Sequence, residues 1–169
     1  MKRLYLLRHA KSSWKARDVP DHDRSLAPRG RRAATAIAGH LRTQGIEPEL
    51  VLCSTARRAR ETFERIEPAL GTPVVRFEPE LYGASAGTLL DRLHGVGSAV
   101  GSVMLIGHNP GLQLLALDLA RPALRVRELE AKYPTAGLAT LAFPASTWRA
   151  VARGTGELVG FVLPRELER

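Results

Sequence analysis

The sequence predicts an α/β fold built on a mostly parallel β-sheet. Short apolar runs without breaker residues alternate along the chain with segments whose apolar residues recur at helical spacing. This alternation is typical of strands that are buried on both faces of a parallel sheet and connected by helices. The length of 169 residues suits one domain with a sizeable core. No linker, repeat or low-complexity tract divides the sequence, so we predict a single domain over residues 1–169.

The predicted elements follow from these runs and their flanking residues. Strands are expected at 4–7, 50–53, 74–77 and 103–106, and an apolar segment covers 138–143. Two more strands in a hairpin are expected at 148–152 and 158–163. Helices are expected at 29–43, at 56–70, after Ser85 and at 110–119. Gly45 suits a C-cap, Ser54 and Thr55 can cap the second helix, and Asn109 suits the N-cap of the last.

Composition excludes several classes of protein. No apolar run approaches the ~20 residues that span a bilayer, and the first apolar run is too short for a signal peptide. Cys53 is the only cysteine, so an intrachain disulfide and a cysteine-rich zinc site are excluded. Within its strand, Cys53 fits a small core residue better than a nucleophile. We therefore predict a cytoplasmic protein without a membrane partner.

A net charge of +8 can indicate a nucleic-acid partner or anionic substrates, but biased codon usage explains the excess of Arg over Lys, with plentiful Ala, Gly and Pro, more simply. Basic residues are spread along the chain, and aromatic residues make up only 5% of it. Stacking platforms for single-stranded nucleic acid are therefore not expected, and we predict no nucleic-acid partner.

Arginine and histidine side chains follow the predicted strands at the points where those strands end. Arg8 and His9 follow the first strand, and His108 follows the strand at 103–106. The first turn of the second helix carries three arginines, which oppose the helix dipole and so suggest a nearby anion. The carboxyl ends of the strands are where open α/β sheets bind ligands. We therefore expect these side chains to share one site.

This set of side chains suits phosphoryl transfer. Guanidinium and imidazolium groups can surround a phosphoryl group and neutralise its oxygens. His9 can then attack phosphorus and form a covalent intermediate that water hydrolyses. No Walker-type loop or Asp-rich magnesium motif is present, so we predict no cofactor and no metal. Asp21, His22 and Asp23 could be metal ligands, but adjacent residues rarely converge on one ion, and an ion-paired loop is favoured.

Three motifs in the same order resemble those of the histidine phosphatase superfamily, also called phosphoglycerate mutase-like. They are Leu-Leu-Arg8-His9-Ala, the segment 54–62 with Arg58-Ala-x-x-Thr62, and Gly107-His108-Asn-Pro-Gly. Two further segments, at 21–26 and 80–84, resemble the SixA-like phosphohistidine phosphatase branch. The resemblance spans roughly residues 3–143.

The resemblance implies a three-layer α/β/α sandwich. It also implies that His9 is the nucleophile and that Arg8, Arg58 and His108 bind the phosphoryl group. Arg57 falls one place off the motif, so Arg58 is assigned. The implied substrate is a protein phosphorylated on histidine or a small phosphorylated metabolite.

One departure from the family concerns the general acid, which larger members keep between the second and third motifs. No acid stands at the expected place here, and Glu80 and Asp23 are the substitutes available, although both also read as ordinary loop carboxylates. Three interpretations therefore stay open. They are a SixA-like phosphohistidine phosphatase, a small-molecule phosphomonoesterase with the same pocket, and a non-catalytic basic domain that binds anions or nucleic acid.

Overall fold

The computed structural model describes residues 1–168 and contains one six-stranded sheet. The strands are β1 (Lys2–Arg8), β2 (Leu50–Ser54), β3 (Val74–Glu78), β4 (Ser102–Gly107), β5 (Leu138–Phe143) and β6 (Glu157–Val162). The helices are α1 (Pro28–Gln44), α2 (Arg57–Ile66), α3 (Ala86–His94), α4 (Gly111–Leu119), α5 (Val126–Ala131) and α6 (Pro164–Leu167). Short 3₁₀ turns lie at Asp21–Asp23, Glu67–Ala69, Pro79–Leu81 and Trp148–Ala150.

The sheet order is β3-β2-β4-β1-β5-β6. The pairs β3–β2, β2–β4 and β4–β1 are parallel, whereas β5 is antiparallel to both β1 and β6. The prediction of a mostly parallel sheet is therefore confirmed. The apolar run of the central strand β1 is continuous because both of its faces are buried. Leu4 and Leu6 belong to the core cluster on one face of the sheet, and Tyr5 and Leu7 to the cluster on the other.

Helices cover both faces, which gives the three layers of the predicted sandwich. Apolar residues of α3, α4 and α5 join Leu4 and Leu6 in the first cluster. Those of α1 and α2 join Tyr5 and Leu7 in the second. Two buried faces are the expected environment of parallel strands, so every residue from 4 to 7 contributes apolar burial.

The prediction of a strand at 148–152 is wrong. Residues Trp148–Ala150 form a 3₁₀ turn, and β6 pairs with β5 instead. Trp148 is fully buried, and its indole Nε1 donates a hydrogen bond to the carbonyl oxygen of Val100 at 2.7 Å. The hydroxyl of Thr147 caps the turn by accepting from the backbone N–H of Ala150. Trp148 is therefore buried and hydrogen-bonded without this segment pairing as a strand of the sheet.

Of the predicted helix ends, the C-cap of α1 is confirmed, whereas the end of α2 and the N-caps of α2 and α4 differ from the predictions. Gly45 is the predicted C-cap and adopts the left-handed conformation, with φ of 63°. Helix α2 stops at Ile66 rather than residue 70, because Pro68 cannot continue an α-helical hydrogen-bond ladder. Ala56 and Pro110 occupy the N-cap positions of α2 and α4, so Ser54, Thr55 and Asn109 are not the N-cap residues that the sequence predicts. The Asn109 side chain still serves the start of α4, since its Oδ1 accepts from the backbone N–H of Gln113 at 3.3 Å.

Two glycines bring loops close to the carboxyl end of the sheet. A Cβ on Gly30 of α1 would lie 2.1 Å from the carbonyl oxygen of Lys11, just after β1. A Cβ on Gly111 of α4 would lie 2.0 Å from the carbonyl oxygen of Ala84. Both contacts exclude a side chain, so they hold the segments around Lys11 and Ala84 against the helix N-termini. Within residues 1–168, no helix is long and apolar enough to cross a membrane.

Candidate active site

The carboxyl ends of β1, β2 and β4 place the predicted residues at one edge of the sheet. Arg8 lies opposite Gly107 in the parallel pairing of β1 with β4. His9 and His108 therefore follow neighbouring strands, and the centroids of their rings are 5.1 Å apart. The structure thus brings the two histidines together, and both are buried.

His9 has one defined donor nitrogen, Nδ1, and one acceptor nitrogen, Nε2. Its Nδ1 lies 2.7 Å from the carbonyl oxygen of Ala10, which can only accept, so Nδ1 carries the hydrogen. Nε2 therefore presents its lone pair, and Nε of Arg58 donates to it at 3.3 Å. Burial lowers the pKa of His9 to about 3, and the positive charges of Arg58 and Arg8 act in the same direction. The imidazole is neutral at pH 7, as a nucleophile must be.

Arg58, not Arg57, reaches the site. The Arg58 side chain is buried, and its guanidinium donates to the backbone oxygen of Asp21 at 2.8 Å and to Oδ2 of Asp21 at 3.0 Å. Arg57 is exposed and pairs with Glu61 on its own helix at 3.4 Å. Arg60 is exposed as well and lies near the ring of Phe77.

Two buried nitrogens at the site have no hydrogen-bond partner among residues 1–168. One is Nε of Arg8, whose Nη1 donates to the carbonyl oxygen of Tyr133 at 2.9 Å. The other is Nδ1 of His108, whose Nε2 lies 2.8 Å from Oγ of Ser54. Burial, together with the charge of Arg58, lowers the pKa of His108 to about 4. Buried polar groups are normally paired, so both nitrogens indicate a ligand.

The Asp21–Asp23 turn is the ion-paired loop that the sequence favoured. Asp21 accepts from Arg58 and Arg24, and Asp23 lies 3.4 Å from Nδ1 of His22. Nε2 of His22 contacts the hydroxyl of Thr55 at 2.9 Å. In the described part of the chain, no three side chains of His, Cys, Asp or Glu are grouped so that they could hold a metal ion.

Neither candidate general acid makes a hydrogen bond to the two buried nitrogens. Glu80 is exposed on the Pro79–Leu81 turn, and its carboxylate makes no hydrogen bond or ion pair within residues 1–168. Asp23 is also exposed, and its only side-chain partner among these residues is His22. The residue of this region that does reach the site is Tyr82, whose hydroxyl donates to Oδ2 of Asp21 at 2.5 Å. The Tyr82 ring meets His108 edge to face at 5.4 Å.

Comparisons with known proteins agree with this geometry. The sequence model of the histidine phosphatase superfamily (branch 1) matches residues 4–94. The chain is 39% identical to the uncharacterized protein Rv1276c of Mycobacterium tuberculosis over 163 residues, which cover 94% of this chain and all of the relative. The chain belongs to the histidine phosphatase superfamily.

Solved structures of this superfamily share the whole fold. The proposed phosphohistidine phosphatase SixA from Agrobacterium tumefaciens superposes with a TM-score of 0.84 at 32% identity, covering 96% of this chain and 98% of that one. A second proposed SixA, from Nakamurella multipartitia, gives 0.82 at 31% identity, covering 96% of both chains. A SixA protein histidine phosphatase complexed with tungstate gives 0.81 at 24% identity over 98% and 99%, a likeness of fold. The predicted fold class and the predicted enzyme class, a phosphatase, are confirmed at the level of the family.

Several residues at the site of this histidine phosphatase were not singled out by sequence reasoning. Asp21 was considered only as a metal ligand or surface ion pair, and Tyr82 only as part of a loop. Thr62 links two elements, since its hydroxyl donates to the carbonyl of Arg58 at 2.7 Å and accepts from the N–H of Ala10 at 3.0 Å. Ser54 contacts His108 instead of capping α2. The available signals are the Arg58-Ala-x-x-Thr62 motif and the two segments, 21–26 and 80–84, that resemble the SixA-like branch, but they assign no contact to Asp21, Thr62 or Tyr82.

Proposed function

We propose that this protein is a SixA-like protein phosphohistidine phosphatase that works through a phosphohistidine on His9 and needs no metal. One observation carries the proposal. Two buried nitrogens, Nε of Arg8 and Nδ1 of His108, have no hydrogen-bond partner among residues 1–168, and they belong to the same site as Nε2 of His9, which presents its lone pair. A phosphoryl group supplies oxygens for such donors. The hydroxyl of Ser54 accepts from the N–H of Ala56 and can donate to Nε2 of His108. That arrangement leaves the hydrogen of His108 on Nδ1.

The proposed reaction has two steps. Nε2 of His9 attacks phosphorus, a P–N bond forms, and the bond from phosphorus to the leaving group breaks. Water then attacks the phosphohistidine, and inorganic phosphate is released while His9 recovers its lone pair. Arg8, Arg58 and His108 stabilise the negative charge that develops on the phosphoryl oxygens in both steps. Arg8 and Arg58 supply the positive charge that a metal ion supplies in other phosphoryl-transfer sites, and neutral His108 donates a hydrogen bond through Nδ1.

The proposed substrate class follows from the available proton donors. The hydrogen bond from Tyr82 lowers the pKa of the Asp21 carboxyl far below its usual range, and Arg58 and Arg24 act in the same direction, so Asp21 is ionised. The same hydrogen bond raises the pKa of the Tyr82 hydroxyl, which makes it a weaker acid. An alkoxide leaving group needs an acid in the transition state, whereas the imidazole of phosphohistidine can be protonated before the bond breaks. The A. tumefaciens relative bears the same proposed activity.

The test compares three substrates in the presence of a chelator. We expect kcat/KM for a phosphohistidine peptide and for para-nitrophenyl phosphate to exceed that for a sugar phosphate by about 10²–10⁴, the range contributed by a positioned acid. His9→Ala should lower the rate by at least about 10³. Rapid quenching with labelled substrate should trap an acid-labile, base-stable phosphoenzyme, and orthovanadate should inhibit.

Each alternative has its own outcome in this experiment. Equal turnover of the sugar phosphate would identify a small-molecule phosphomonoesterase with a general acid. A label that maps to a serine or to His108 would contradict the role of His9. The absence of any turnover would favour a basic anion-binding domain.

The proposal includes two broader expectations. Residues 1–169 act as one histidine phosphatase domain, which is supported by the single sheet that carries the whole site. The protein acts in the cytoplasm, which is supported by the lack of any intrachain disulfide in a chain whose single cysteine is buried.

A further inference from the structure

Asp21 is the centre of the hydrogen bonds around Arg58. Its Oδ2 accepts from Nη2 of Arg58 at 3.0 Å and from the hydroxyl of Tyr82 at 2.5 Å. Its Oδ1 accepts from Nη1 of Arg24 at 2.9 Å, and its backbone oxygen accepts from Nη1 of Arg58 at 2.8 Å. One residue on a short 3₁₀ turn therefore binds both terminal nitrogens of the Arg58 guanidinium.

This pattern decides which edge of Arg58 faces His9. The guanidinium is planar and rigid, so two bonds at its terminal nitrogens fix the direction of its remaining edge. Nε, the third nitrogen, lies 3.3 Å from Nε2 of His9. Asp21 thus lies on the far side of the guanidinium from the attacking nitrogen.

Asp21 is itself held from two further directions. Its side chain is 50% exposed, whereas that of Arg58 is 9% exposed. An exposed carboxylate on a loop would ordinarily lose much of its order to solvent. Here Tyr82 holds Oδ2, and Arg24, which stacks 3.2 Å from the ring centroid of Trp14, holds Oδ1. The hydrogen bonds tie the loop after β1 and the segment before α3 to the same carboxylate.

We propose that Asp21 is a positioning residue that orients Arg58, so that the Nε edge of its guanidinium faces the phosphoryl group on His9. The inference rests on the proposed function, because Arg58 is assigned there as a phosphoryl ligand. Asp21 makes no hydrogen bond to His9 or His108 among residues 1–168, so we expect its main effect on catalysis to come through Arg58. Its removal therefore misplaces one preorganised donor and leaves the nucleophile in place.

The test is a double-mutant cycle on kcat with para-nitrophenyl phosphate. Asp21→Ala should lower kcat about 10- to 100-fold, which is the scale of a donor displaced by about 1 Å, and should change KM much less. In the Arg58→Ala background the same substitution should change kcat by less than about twofold, because residues that act as a unit are not additive. Equal losses in the two backgrounds would overturn the inference.

Two variants separate orientation from general damage to the loop. Asp18→Ala removes an exposed carboxylate from the same loop and should leave kcat within about twofold of wild type, as is usual for surface substitutions. Asp21→Asn keeps an oxygen for Nη2 of Arg58 and should recover part of kcat. A loss with Asp18→Ala as large as that with Asp21→Ala would show that the loop, not the pairing, matters. Asp21→Asn also replaces Asp21→Ala in the cycle if the alanine variant does not fold.

A binding version of the cycle distinguishes failure of this inference from failure of the proposed function. Calorimetry with orthovanadate needs no turnover, so it tests the coupling of Asp21 to Arg58 even in an inactive protein. Orthovanadate affinity should fall with Asp21→Ala and with Arg58→Ala, and the double variant should match Arg58→Ala. If wild-type protein turns over no substrate but this binding cycle is non-additive, the proposed function fails and the positioning role stands. If His9→Ala abolishes turnover but both cycles are additive, only the positioning role fails.

Discussion

Two groups of side chains meet at the site, and they are held in different ways. Arg8, His9, Ser54 and His108 lie at or just after the carboxyl ends of strands, and the last three are buried. Their side chains contact backbone groups, one another and, in the case of His9, Arg58. Asp21 and Tyr82 lie on short turns that extend from the sheet, and each is substantially exposed. In the first group, burial lowers the pKa of both histidines. In the second, hydrogen bonding lowers the pKa of Asp21 and raises that of Tyr82.

The two groups have different proposed roles: the strand-end group provides the reacting atoms, and the turn group orients them. The strand-end group supplies the lone pair of His9 and the unpaired donors, so its removal should abolish catalysis. The turn group contacts Arg58 and the ring of His108 but makes no hydrogen bond to His9, so its removal should weaken catalysis through orientation. The following predictions test this division, from the largest expected effect to the smallest.

After His9→Ala, the largest effect on catalysis is expected where a buried donor is removed. Arg58→Ala and His108→Ala should each lower kcat/KM by about 10²–10³, which is typical of one preorganised donor at developing charge. Arg57→Ala is the matched control, because Arg57 is the adjacent arginine but is exposed and paired with Glu61. It should cost less than about tenfold, the value of a surface ion pair. Steady-state kinetics with para-nitrophenyl phosphate gives these ratios. A larger loss with Arg57→Ala than with Arg58→Ala would mean that the motif arginine is Arg57 and that our assignment is off by one residue.

Stability should depend on pH because His9 and His108 are buried as neutral groups. Their folded pKa values, about 3 and about 4, lie below the ordinary 6.5. As pH falls below 6.5 the unfolded chain binds protons that the folded chain does not, so the free energy of unfolding falls. Each histidine contributes up to about 1.4 kcal/mol per pH unit, until pH reaches its folded pKa.

Urea unfolding at pH 7, 6 and 5 in buffers without oxyanions measures this dependence. His108→Gln should reduce the slope of unfolding free energy against pH relative to wild type, while contributions from other groups such as His40 are common to both proteins. An unchanged slope would mean that folding does not lower the pKa of His108.

The smallest effects are expected in the segment that carries Tyr82. Tyr82→Phe keeps the ring against His108 and removes the hydrogen bond to Asp21. The loss of one such bond should lower kcat by about 2- to 12-fold, corresponding to roughly 0.5–1.5 kcal/mol.

Glu80→Gln should leave the rate on a phosphohistidine peptide within about twofold of wild type, as for other exposed substitutions. A Glu80→Gln variant that lost only activity on alkyl phosphates would identify Glu80 as the general acid.

The sequence predicted the strand-end half of the site because strand ends leave a strong local signal. An apolar run followed by Arg8-His9 or by Gly107-His108 marks both a buried strand and its polar end. Parallel pairing then brings such ends together. The position of Arg58 followed from the family motif, since composition alone could not distinguish it from Arg57 or Arg60.

The turn half could not be predicted in the same way. The segment Asp21-His-Asp-Arg24 has no sequence pattern that predicts the contact between Asp21 and Arg58 of α2. That contact depends on the path of the preceding loop. The same limit explains the misplaced strand at 148–152, where the burial of Trp148 against Val100 decides the local conformation. Long-range packing of single side chains has no periodic signal in the sequence.

The position of β1 in the middle of the sheet links the site to folding. His9 reaches His108 only after β1 has paired with β4, a strand from the second half of the chain. Contacts between such distant segments are slow to form, and the proposed phosphoryl-binding site is complete only once this pairing has formed. A ligand that binds only the native chain stabilises it by about 2.7 kcal/mol at a concentration 100 times its Kd. Inorganic phosphate, the product of the proposed reaction, would then compete with substrate and, at the same time, protect the enzyme against unfolding.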